Sequence, residues 1–365
     1  MLKNFKSVDR CVYGRGSIRQ LGDILMPIRQ SGSVVFLVDA SVYDHPFVKQ
    51  LPIDGQDRLL CVSVDAEEPT TQQVDALRDQ LLTESQAVPG GVIGIGGGSV
   101  MDLAKAVALM LTHEGSSSQY QGLNLIQRPG VWHCGIPTLA GTGAEVSMTA
   151  VLTGPTKKLG LKSDFTVFDQ IILDPDLIAD APDAQRFYTG MDCYIHCIES
   201  LNGRKNNAFS TAYGLQALEL CRDVFLGRIS REEADEKLMV ASYFGGLSLT
   251  YSEVGACHAL SYGLSYVLHL RHGVANCIAF RQLREFYPEG VHEFELMCER
   301  NQIAVPGHLA DAVSADEYER MAETALNLPF MWAHALGDDW AEQIDPSRLI
   351  DLYQRMQHAG QFHQA

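Results

Sequence analysis

The chain has 365 residues, of which 46% are hydrophobic and 20% are charged, and its formal net charge is −17 at pH 7. This length exceeds what a single hydrophobic core normally serves, so we expect two domains. The strongly negative charge argues against nucleic acid and against an anionic membrane surface as partners.

The N-terminal segment MLKNFKSVDR lacks the pattern of a signal peptide, and no run of about twenty apolar residues follows it. We therefore expect a cytoplasmic protein. The nine cysteines show no zinc-ribbon spacing and are predicted to be free thiols, as in a reducing compartment.

The first half of the chain alternates apolar β-branched runs with helix-period patterns. Residues 32–40 and 58–65 read as strands, residues 71–85 as a helix, and a further strand with its helix follows. This rhythm predicts a parallel sheet of the α/β class. The first of these runs ends in Asp39, whose carboxylate can accept hydrogen bonds from a ribose and repel a 2′-phosphate, which favours NAD over NADP. The alternative is that Asp39 only caps a turn.

Residues 92–110 predict a strand, a glycine turn and a helix in that order. The turn consists of Gly96, Gly97, Gly98 and Ser99. Glycines let backbone N–H groups approach an anion while the helix points its positive end at it. We interpret the turn as a pyrophosphate cradle, although it is not the GxGxxG fingerprint and an ordinary tight turn is the alternative.

Residues 136–154 place a second small-residue loop after an apolar run. Its polar and flexible positions are Thr138, Gly141, Thr142 and Gly143. Hydroxyls and unshielded amides suit phosphate or ribose, and a polar turn between two strands is the alternative.

Strand patterns end near the Asp174-Pro175 step, and helix-period stretches follow, among them 208–226 and 232–268. We therefore predict an α/β dinucleotide-binding domain over 1–175 and an all-α metal-binding, catalytic domain over 176–365. The tail 357–365 is expected to be weakly ordered. With the cofactor loops in one half and the metal ligands in the other, we expect the active site in the cleft between them.

One carboxylate and three imidazoles in the second half have the spacing of a metal site. Asp192 and His196 are four residues apart in a helical segment and so leave the same face, while His258 and His272 form a second pair. Gly273 suggests that the chain turns there to present His272. This donor set suits Fe(II) or Zn(II) with a coordination position left open for substrate, although any one of these residues alone could be an ordinary polar side chain.

Three cysteines flank these residues and offer an alternative, softer ligand set. They are Cys193, Cys197 and Cys257. We give them less weight because Cys193 and Cys197 lie one step past the proposed ligands and should point to a neighbouring helix face.

The chain resembles the iron-containing, or group III, alcohol dehydrogenases over nearly its whole length. GGGSVMDLAK at 96–105 matches that family's GGGSxxDxAK loop, TLAGTGAEV at 138–146 matches its TTAGTGSEV loop with two changes, and the four ligands follow in family order. The resemblance implies a metal held by Asp192, His196, His258 and His272, with Asp102, Thr138, Thr142 and Lys158 lining the cofactor side. Without it, Asp102 and Lys105 would be a first-turn acid and a solvated helix cation.

Within this family, three segments look most like the branch assigned to oxidising the C8 primary alcohol of 3-deoxy-octulosonate, an acidic sugar of bacterial lipopolysaccharide. They are residues 163–180, 187–203 and 256–268. An acidic substrate needs a basic partner, and the candidates are Lys162, Arg186, Arg204 and Arg271. That branch is catalogued as using molecular oxygen, but the loops present here favour NAD, and oxygen is the rival acceptor.

Some positions depart from the family pattern. Many members have a further histidine where this chain has Tyr262, whose phenol can still relay a proton but is a poorer base at neutral pH. Leu139 and Ala144 replace hydroxyl residues of the threonine loop, which removes two polar contacts to the cofactor. We take Tyr262 and Asp102 as the catalytic candidates.

Two other classes of protein stay open at this point. A sugar cyclase of the dehydroquinate-synthase type would share the architecture, but it should carry Glu as its first ligand and a lysine-rich phosphate site. A non-catalytic scaffold that has kept the fold is opposed by the intact ligands and the glycine loop. A homodimer is expected from base rates alone.

Overall fold

A computed structural model describes residues 5–64, 69–84, 87–307, 309 and 312–358. The chain divides into two compact units, one formed by Met1–Ala181 with Arg231–Met239 and the other by Pro182–Ser230 with Val240–Ala365. The predicted boundary after residue 175 falls inside the first unit. Asp65, the last residue of the second predicted strand, and the tail from 359 onward lie outside the described residues. No helix in the described part of the chain has the length and apolar character needed to cross a bilayer.

The first unit is an α/β fold, as the alternating pattern predicts. Its elements are β1 (Arg10–Tyr13), α1 (Leu21–Ile28), β2 (Val34–Asp39), β3 (Arg58–Val62), α2 (Thr71–Glu84), β4 (Gly91–Gly96), α3 (Gly98–Met110), β5 (Gly122–Leu123), β6 (Trp132–Pro137), β7 (Thr149–Thr153), β8 (Lys158–Lys162) and β9 (Gln170–Leu173). Six strands form a parallel sheet in the order β1-β9-β6-β4-β2-β3, and β5-β8-β7 form a smaller mixed sheet.

Both faces of the six-stranded sheet are buried. In β2, Val35 and Leu37 join the core shared with α2 and α3, whereas Val34 and Phe36 join the core shared with α1. Helices that cover both faces leave no solvent side to a central strand. This is why β2 is apolar at consecutive positions instead of alternating with polar residues.

Helix α3 lies against β4 because Gly94 has no side chain. A Cβ placed there would come within 2.7 Å of the Ala104 Cβ and 3.2 Å of the Val100 carbonyl oxygen. The same strand and helix flank the glycine turn, so their close packing fixes the geometry of that turn.

The second unit is helical, which confirms the predicted fold class. Its helices are α4 (Asp183–Asn202), α5 (Ala208–Phe225), α6 (Arg231–Tyr251), α7 (Ala256–Leu268), α8 (His272–Arg281), α9 (Pro288–Arg300), α10 (Ala315–Leu326), α11 (Pro329–Leu336) and α12 (Pro346–His358). The first residues of α6 belong to the first unit.

The predicted helical stretch 232–268 is two helices, α6 and α7. The chain leaves helical geometry before Gly255, which has φ −126° and ψ −138° and precedes the first residue of α7. A Cβ at Gly255 would come within 2.8 Å of the Tyr287 hydroxyl, so packing as well as backbone geometry favours glycine there. The break allows α7 to take its own direction toward the predicted metal ligands.

We expect Gly94→Ala to lower the free energy of unfolding by about 1–3 kcal/mol, because the added methyl must push α3 away from β4. The matched control is Gly55→Ala, since a Cβ at Gly55 meets no atom within 4 Å. Urea unfolding followed by far-UV circular dichroism measures both. Equal midpoints for the two variants would contradict the packing argument.

Candidate functional site

Four predicted ligands meet in the second unit. The Asp192 Oδ1 lies 3.4 Å from the Nε2 of His196, 3.4 Å from the Nε2 of His258 and 3.6 Å from the Nε2 of His272. Asp192, His196 and His258 are buried, and 26% of the His272 side chain is exposed. The Asp192 Oδ1 is thus surrounded by ring nitrogens from three helices, and the cluster is partly exposed at His272.

Local helix geometry places each ligand. Asp192 and His196 lie one turn apart on α4, as predicted, and His258 is the third residue of α7. His272 begins α8, and the turn before it is made by His269, which has φ 56°. The prediction of a turn at Gly273 was therefore wrong. A Cβ at Gly273 would lie 2.9 Å from the Tyr188 carbonyl oxygen, so this glycine lets α8 pack on α4.

Glu199 supports the site from behind and was missed in the sequence. Its Oε2 forms a very short hydrogen bond with the His258 Nδ1, and its Oε1 accepts from the backbone N–H of Cys257 at 2.6 Å. Fully buried, it fixes the ring of His258 with Nε2 directed at Asp192. A carboxylate behind a ligating histidine is a common device of metal sites. The signal was its place three residues after His196, on the same helix face.

Asn276 was also missed. It is fully buried on α8, and its Nδ2 lies 2.7 Å from the Asp192 Oδ1, 3.1 Å from the His272 Nε2 and 3.3 Å from the His258 Nε2. Its position four residues after His272 puts it on the face that carries the ligand. That spacing would have identified it.

The ionisable groups of the site influence one another strongly. Burial raises the pKa of Asp192, but the charges of His196, His272 and His258 more than offset this and hold it well below its usual range. Burial lowers the pKa of His196 to about 4. For His258 burial also acts downward, but the Glu199 and Asp192 carboxylates outweigh it and raise its pKa to about 9. A cation bound by His258 must therefore displace a proton.

The donor set fits a divalent cation of the Fe2+ or Zn2+ kind. Within the described residues, Asp192, His196 and His258 form the one cluster of acidic, histidine or cysteine side chains whose ligand atoms all lie within 4.8 Å of one another. His196 Nδ1 is buried with no hydrogen-bond partner. No neighbouring group therefore prevents Nδ1 from carrying the proton, and in that tautomer Nε2 has a lone pair for a cation. Oxygen and imidazole donors around a shared centre suit both metals.

The flanking cysteines point elsewhere, as predicted for Cys193. The Cys193 thiol lies 3.1 Å from the Ala241 carbonyl oxygen, and the Cys257 thiol lies 3.3 Å from the Asn276 carbonyl oxygen. All nine cysteines are free. Tyr262, by contrast, is near the site, because its ring centroid lies 6.1 Å from that of His272.

In the first unit, three of the predicted cofactor residues, Asp39, Gly96 and Thr138, lie together at the carboxyl edge of the parallel sheet. Gly96 ends β4, and its carbonyl oxygen accepts from the Thr138 N–H at 2.9 Å, while a Cβ at Gly96 would lie 2.9 Å from the Asp39 Cβ. Asp39 accepts from the backbone N–H and hydroxyl of Ser41 at 2.9 and 2.8 Å. Asp39 therefore caps a turn, and its predicted contact with a ribose stays a prediction.

The glycine turn has the shape of a cradle. Helix α3 begins at Gly98 after Gly97, and no side chain among the described residues caps its first turn, next to Ser99. A Cβ at Gly98 would lie 2.9 Å from the Thr142 hydroxyl oxygen. The threonine loop therefore closes over the helix end, with Gly141 and Gly143 at positive φ of 143° and 66°. Open N–H groups at a positive helix end suit a pyrophosphate.

Asp102 and Lys105 both make contacts that hold helix α3 in place. The Lys105 Nζ, fully buried, donates to the carbonyl oxygens of Ser147 and Thr149 at 3.0 and 2.9 Å, so a solvated helix cation is wrong. Asp102 is also buried, and its Oδ2 accepts from the Val151 N–H at 2.9 Å. Both residues tie α3 to the chain around β7. The cofactor and catalytic roles of Asp102 stay predictions.

The remaining candidates are spread over several elements. Lys158 and Lys162 begin and end β8 in the smaller sheet, and Arg204 follows α4. Arg186 lies on α4 and is buried. Arg271 directly precedes His272, is exposed, and its Nη1 lies 3.5 Å from the Gln185 Oε1. Arg271 is thus the candidate cation next to a ligand in sequence and tied to the ligand helix.

Comparison with known proteins gives matches over most of the chain. The family profile described as "Iron-containing alcohol dehydrogenase" matches residues 9–175, and that of the "Fe-containing alcohol dehydrogenase family, C-terminal" matches residues 186–363. The NAD-dependent methanol dehydrogenase of Bacillus methanolicus is 27% identical over 76% of this chain and 74% of its own length. Sulfoacetaldehyde reductase of Bilophila wadsworthia is 28% identical over 74% of this chain and 70% of its length.

A solved structure gives the same picture of the fold. The sulfoacetaldehyde reductase from Bifidobacterium kashiwanohense in complex with NAD+ superposes with a TM-score of 0.79 at 21% identity, over 98% of this chain and 99% of that one.

We expect Glu199→Gln to weaken divalent metal binding about 10- to 100-fold, because the His258 ring loses the carboxylate that orients it. Competition titration of Zn2+ against a chelating dye measures the affinity. Glu293→Gln is the control, since Glu293 pairs with Arg222 and Tyr194 away from the ligands. Unchanged affinity in Glu199→Gln would remove the residue from this role.

We expect Asp192→Ala and His272→Ala each to abolish metal retention while keeping the helical circular dichroism signal. Loss of the carboxylate or of an imidazole leaves the cation with too few strong donors. Elemental analysis after desalting measures the metal content, with the exposed His292→Ala as control. Full retention of metal in both variants would exclude these residues as ligands.

Proposed function

Because the chain belongs to the iron-containing alcohol dehydrogenase family, we propose that this oxidoreductase of CH–OH groups oxidises a primary alcohol to an aldehyde with NAD and a divalent metal as cofactors. The observation that carries the proposal is the Asp192 carboxylate with three histidine Nε2 atoms within 3.6 Å. The glycine cradle at the edge of the parallel sheet supports NAD as the second cofactor.

Asp192 and the three histidines would hold the cation, which would supply a lowered pKa of a substrate hydroxyl, and the glycine turn would hold the NAD that takes up the hydride. The protein's own work is to place the reactants. Asp192 and the histidines fix the cation, and Glu199 holds the His258 ring in the required tautomer. The cradle around Gly98 and Thr142 would hold the dinucleotide phosphates. We assign the partly exposed Tyr262 to exchange of the hydroxyl proton with solvent.

We further propose an acidic substrate, most specifically the C8 hydroxyl of 3-deoxy-octulosonate, as the resemblance of three segments implies. Arg271 supports this assignment. It directly precedes α8, and its Nη1 lies 3.5 Å from the Oε1 of Gln185. Gln185 is seven residues before Asp192, which corresponds to about 10 Å along the helix axis. A guanidinium at that distance could pair with a carboxylate while the far hydroxyl of the same molecule reaches the metal. One relative is named for an aldehyde that carries a sulfonate.

The relatives support NAD rather than oxygen as the acceptor. The methanol dehydrogenase is NAD-dependent by name, and a solved relative is in complex with NAD+. An oxidase would need iron, because zinc is redox-inert. An experiment with and without oxygen can therefore distinguish NAD from oxygen as the electron acceptor.

We expect the Fe2+-loaded protein to form NADH and aldehyde together when it is incubated without oxygen with NAD and 3-deoxy-octulosonate. Absorbance at the NADH band and hydrazine trapping of the aldehyde measure the two products. Aldehyde formed only after oxygen is admitted would contradict the NAD-linked reaction. If the protein oxidises only neutral primary alcohols, the family activity is retained and the acidic sugar is excluded as the substrate. Net isomerisation of the sugar without NADH would indicate a cyclase.

We expect Arg271→Gln to raise the KM for the acidic sugar about 10-fold or more, because a charge-assisted hydrogen bond contributes about 1.5–3 kcal/mol. The KM for a neutral primary alcohol should not change. Arg355→Gln is the matched control, since Arg355 pairs with Asp351 on α12 and its side chain is 53% exposed. An equal change of KM for both substrates would show that Arg271 does not bind the carboxylate.

A further inference from the structure

Asn276 directs its amide nitrogen, which can only donate hydrogen bonds, at the ligand cluster. Its amide nitrogen faces the Asp192 Oδ1 at 2.7 Å and the His272 Nε2 at 3.1 Å. An NH2 group has two hydrogens, so these two contacts use both of them. The third neighbour, His258 Nε2 at 3.3 Å, is the most distant of the three.

The other end of the same amide has no partner. Asn276 Oδ1 is buried with no hydrogen-bond partner, and the residue has no exposed surface. Leaving a buried acceptor unpaired has a free-energy cost. The opposite amide orientation would place Oδ1 within hydrogen-bond distance of the Asp192 carboxylate oxygen, which repels it. The observed orientation is therefore set by the ligands.

We propose that Asn276 is a positioning residue of the metal centre, which holds Asp192 and His272 in place through its amide hydrogens. The contact to Asp192 directs one lone pair of the carboxylate and leaves the others for the cation. The contact to His272 requires that Nε2 carry a lone pair, so it selects the tautomer that can bind metal. Asn276 thus holds the Asp192 carboxylate and the partly exposed His272 imidazole in their relative positions before a cation binds.

The arrangement of the helices supports this role. Asp192 belongs to α4 and His272 to α8, so the amide joins two ligands from two helices. Glu199 performs the corresponding task for His258 on α7. Asn276 and Glu199 together therefore orient ligands on all three helices, and neither is itself one of the predicted ligands.

The test is to measure metal affinity and coordination geometry in Asn276→Leu and Asn276→Ser. Leucine keeps the volume without any hydrogen bond, and serine is too short to reach both partners. We expect the Kd for Zn2+ to rise about 10-fold or more in each, as for other outer contacts of metal ligands. We also expect the Co2+ absorption bands to change in position and intensity, because the carboxylate is no longer oriented.

Asn301→Leu is the matched control. The Asn301 amide donates to the carbonyl oxygens of Phe225 and Met297 and so has only a structural role. The Asn301→Leu substitution should lower the midpoint of thermal unfolding without changing the Kd for Zn2+ or the Co2+ spectrum. If Asn276→Leu does not fold, Asn276→Ser decides alone.

The inference rests on the proposed metal centre, and the two can fail separately. A parent protein that binds no divalent cation would overturn the proposed function. A parent that binds Zn2+ tightly, with unchanged Kd and Co2+ spectrum in the Asn276 variants, would overturn the positioning role alone.

Discussion

The candidate site in the second unit depends on the buried carboxylate of Asp192. Asp192 is 1% exposed, and an ionised carboxylate in such a place is very costly unless cations or donors surround it. The Asn276 amide donates to it, and the imidazoles around it come from His196 on the same helix, His258 on α7 and His272 on α8. Those three helices are held in a fixed arrangement because each contributes a partner to this single group. The same arrangement leaves the three Nε2 atoms directed at one point.

Helix α4 carries most of this arrangement on one face. Asp192, His196 and Glu199 are separated by four and three residues, the spacing that aligns side chains along a helix. Two of them face the shared centre, and the third reaches behind His258. A carboxylate that holds an imidazole in turn raises the pKa of His258 to about 9. Occupancy of the site by a cation is therefore coupled to proton release.

The sequence was most informative where chemistry and spacing coincide. The glycine turn, the i and i+4 pair on α4 and the alternation of strands and helices each follow from short-range rules, and the α/β and helical halves were predicted from them. His258 and His272 were proposed as a second pair from their residue types, and the resemblance to a family supported joining them to the first pair, because nothing local links residues more than sixty positions apart. Glu199 and Asn276 carried only a local signal, their spacing of three residues from His196 and four from His272, and tertiary contacts were needed to show which groups they hold.

The misjudged residues have physical explanations of the same kind. Lys105 reads as a surface cation by composition, but it is buried because three acceptors near β7 satisfy its ammonium group. The break at Gly255 was missed because the helical period continues across it and only the contact with Tyr287 marks it. Gly273 looked like a turn because glycine is usually read by its backbone freedom rather than by the absence of its side chain.

Gly273 also limits the size of the predicted metal centre. With hydrogen in place of a methyl group, the backbone of α8 can come against the Tyr188 carbonyl of α4. His272 and Asn276 both belong to α8 and would retreat from Asp192 together if that distance grew. The space available to an ion therefore depends on Gly273, although this residue has no side chain to bind one. A methyl group at position 273 would enlarge that space without replacing any ligand.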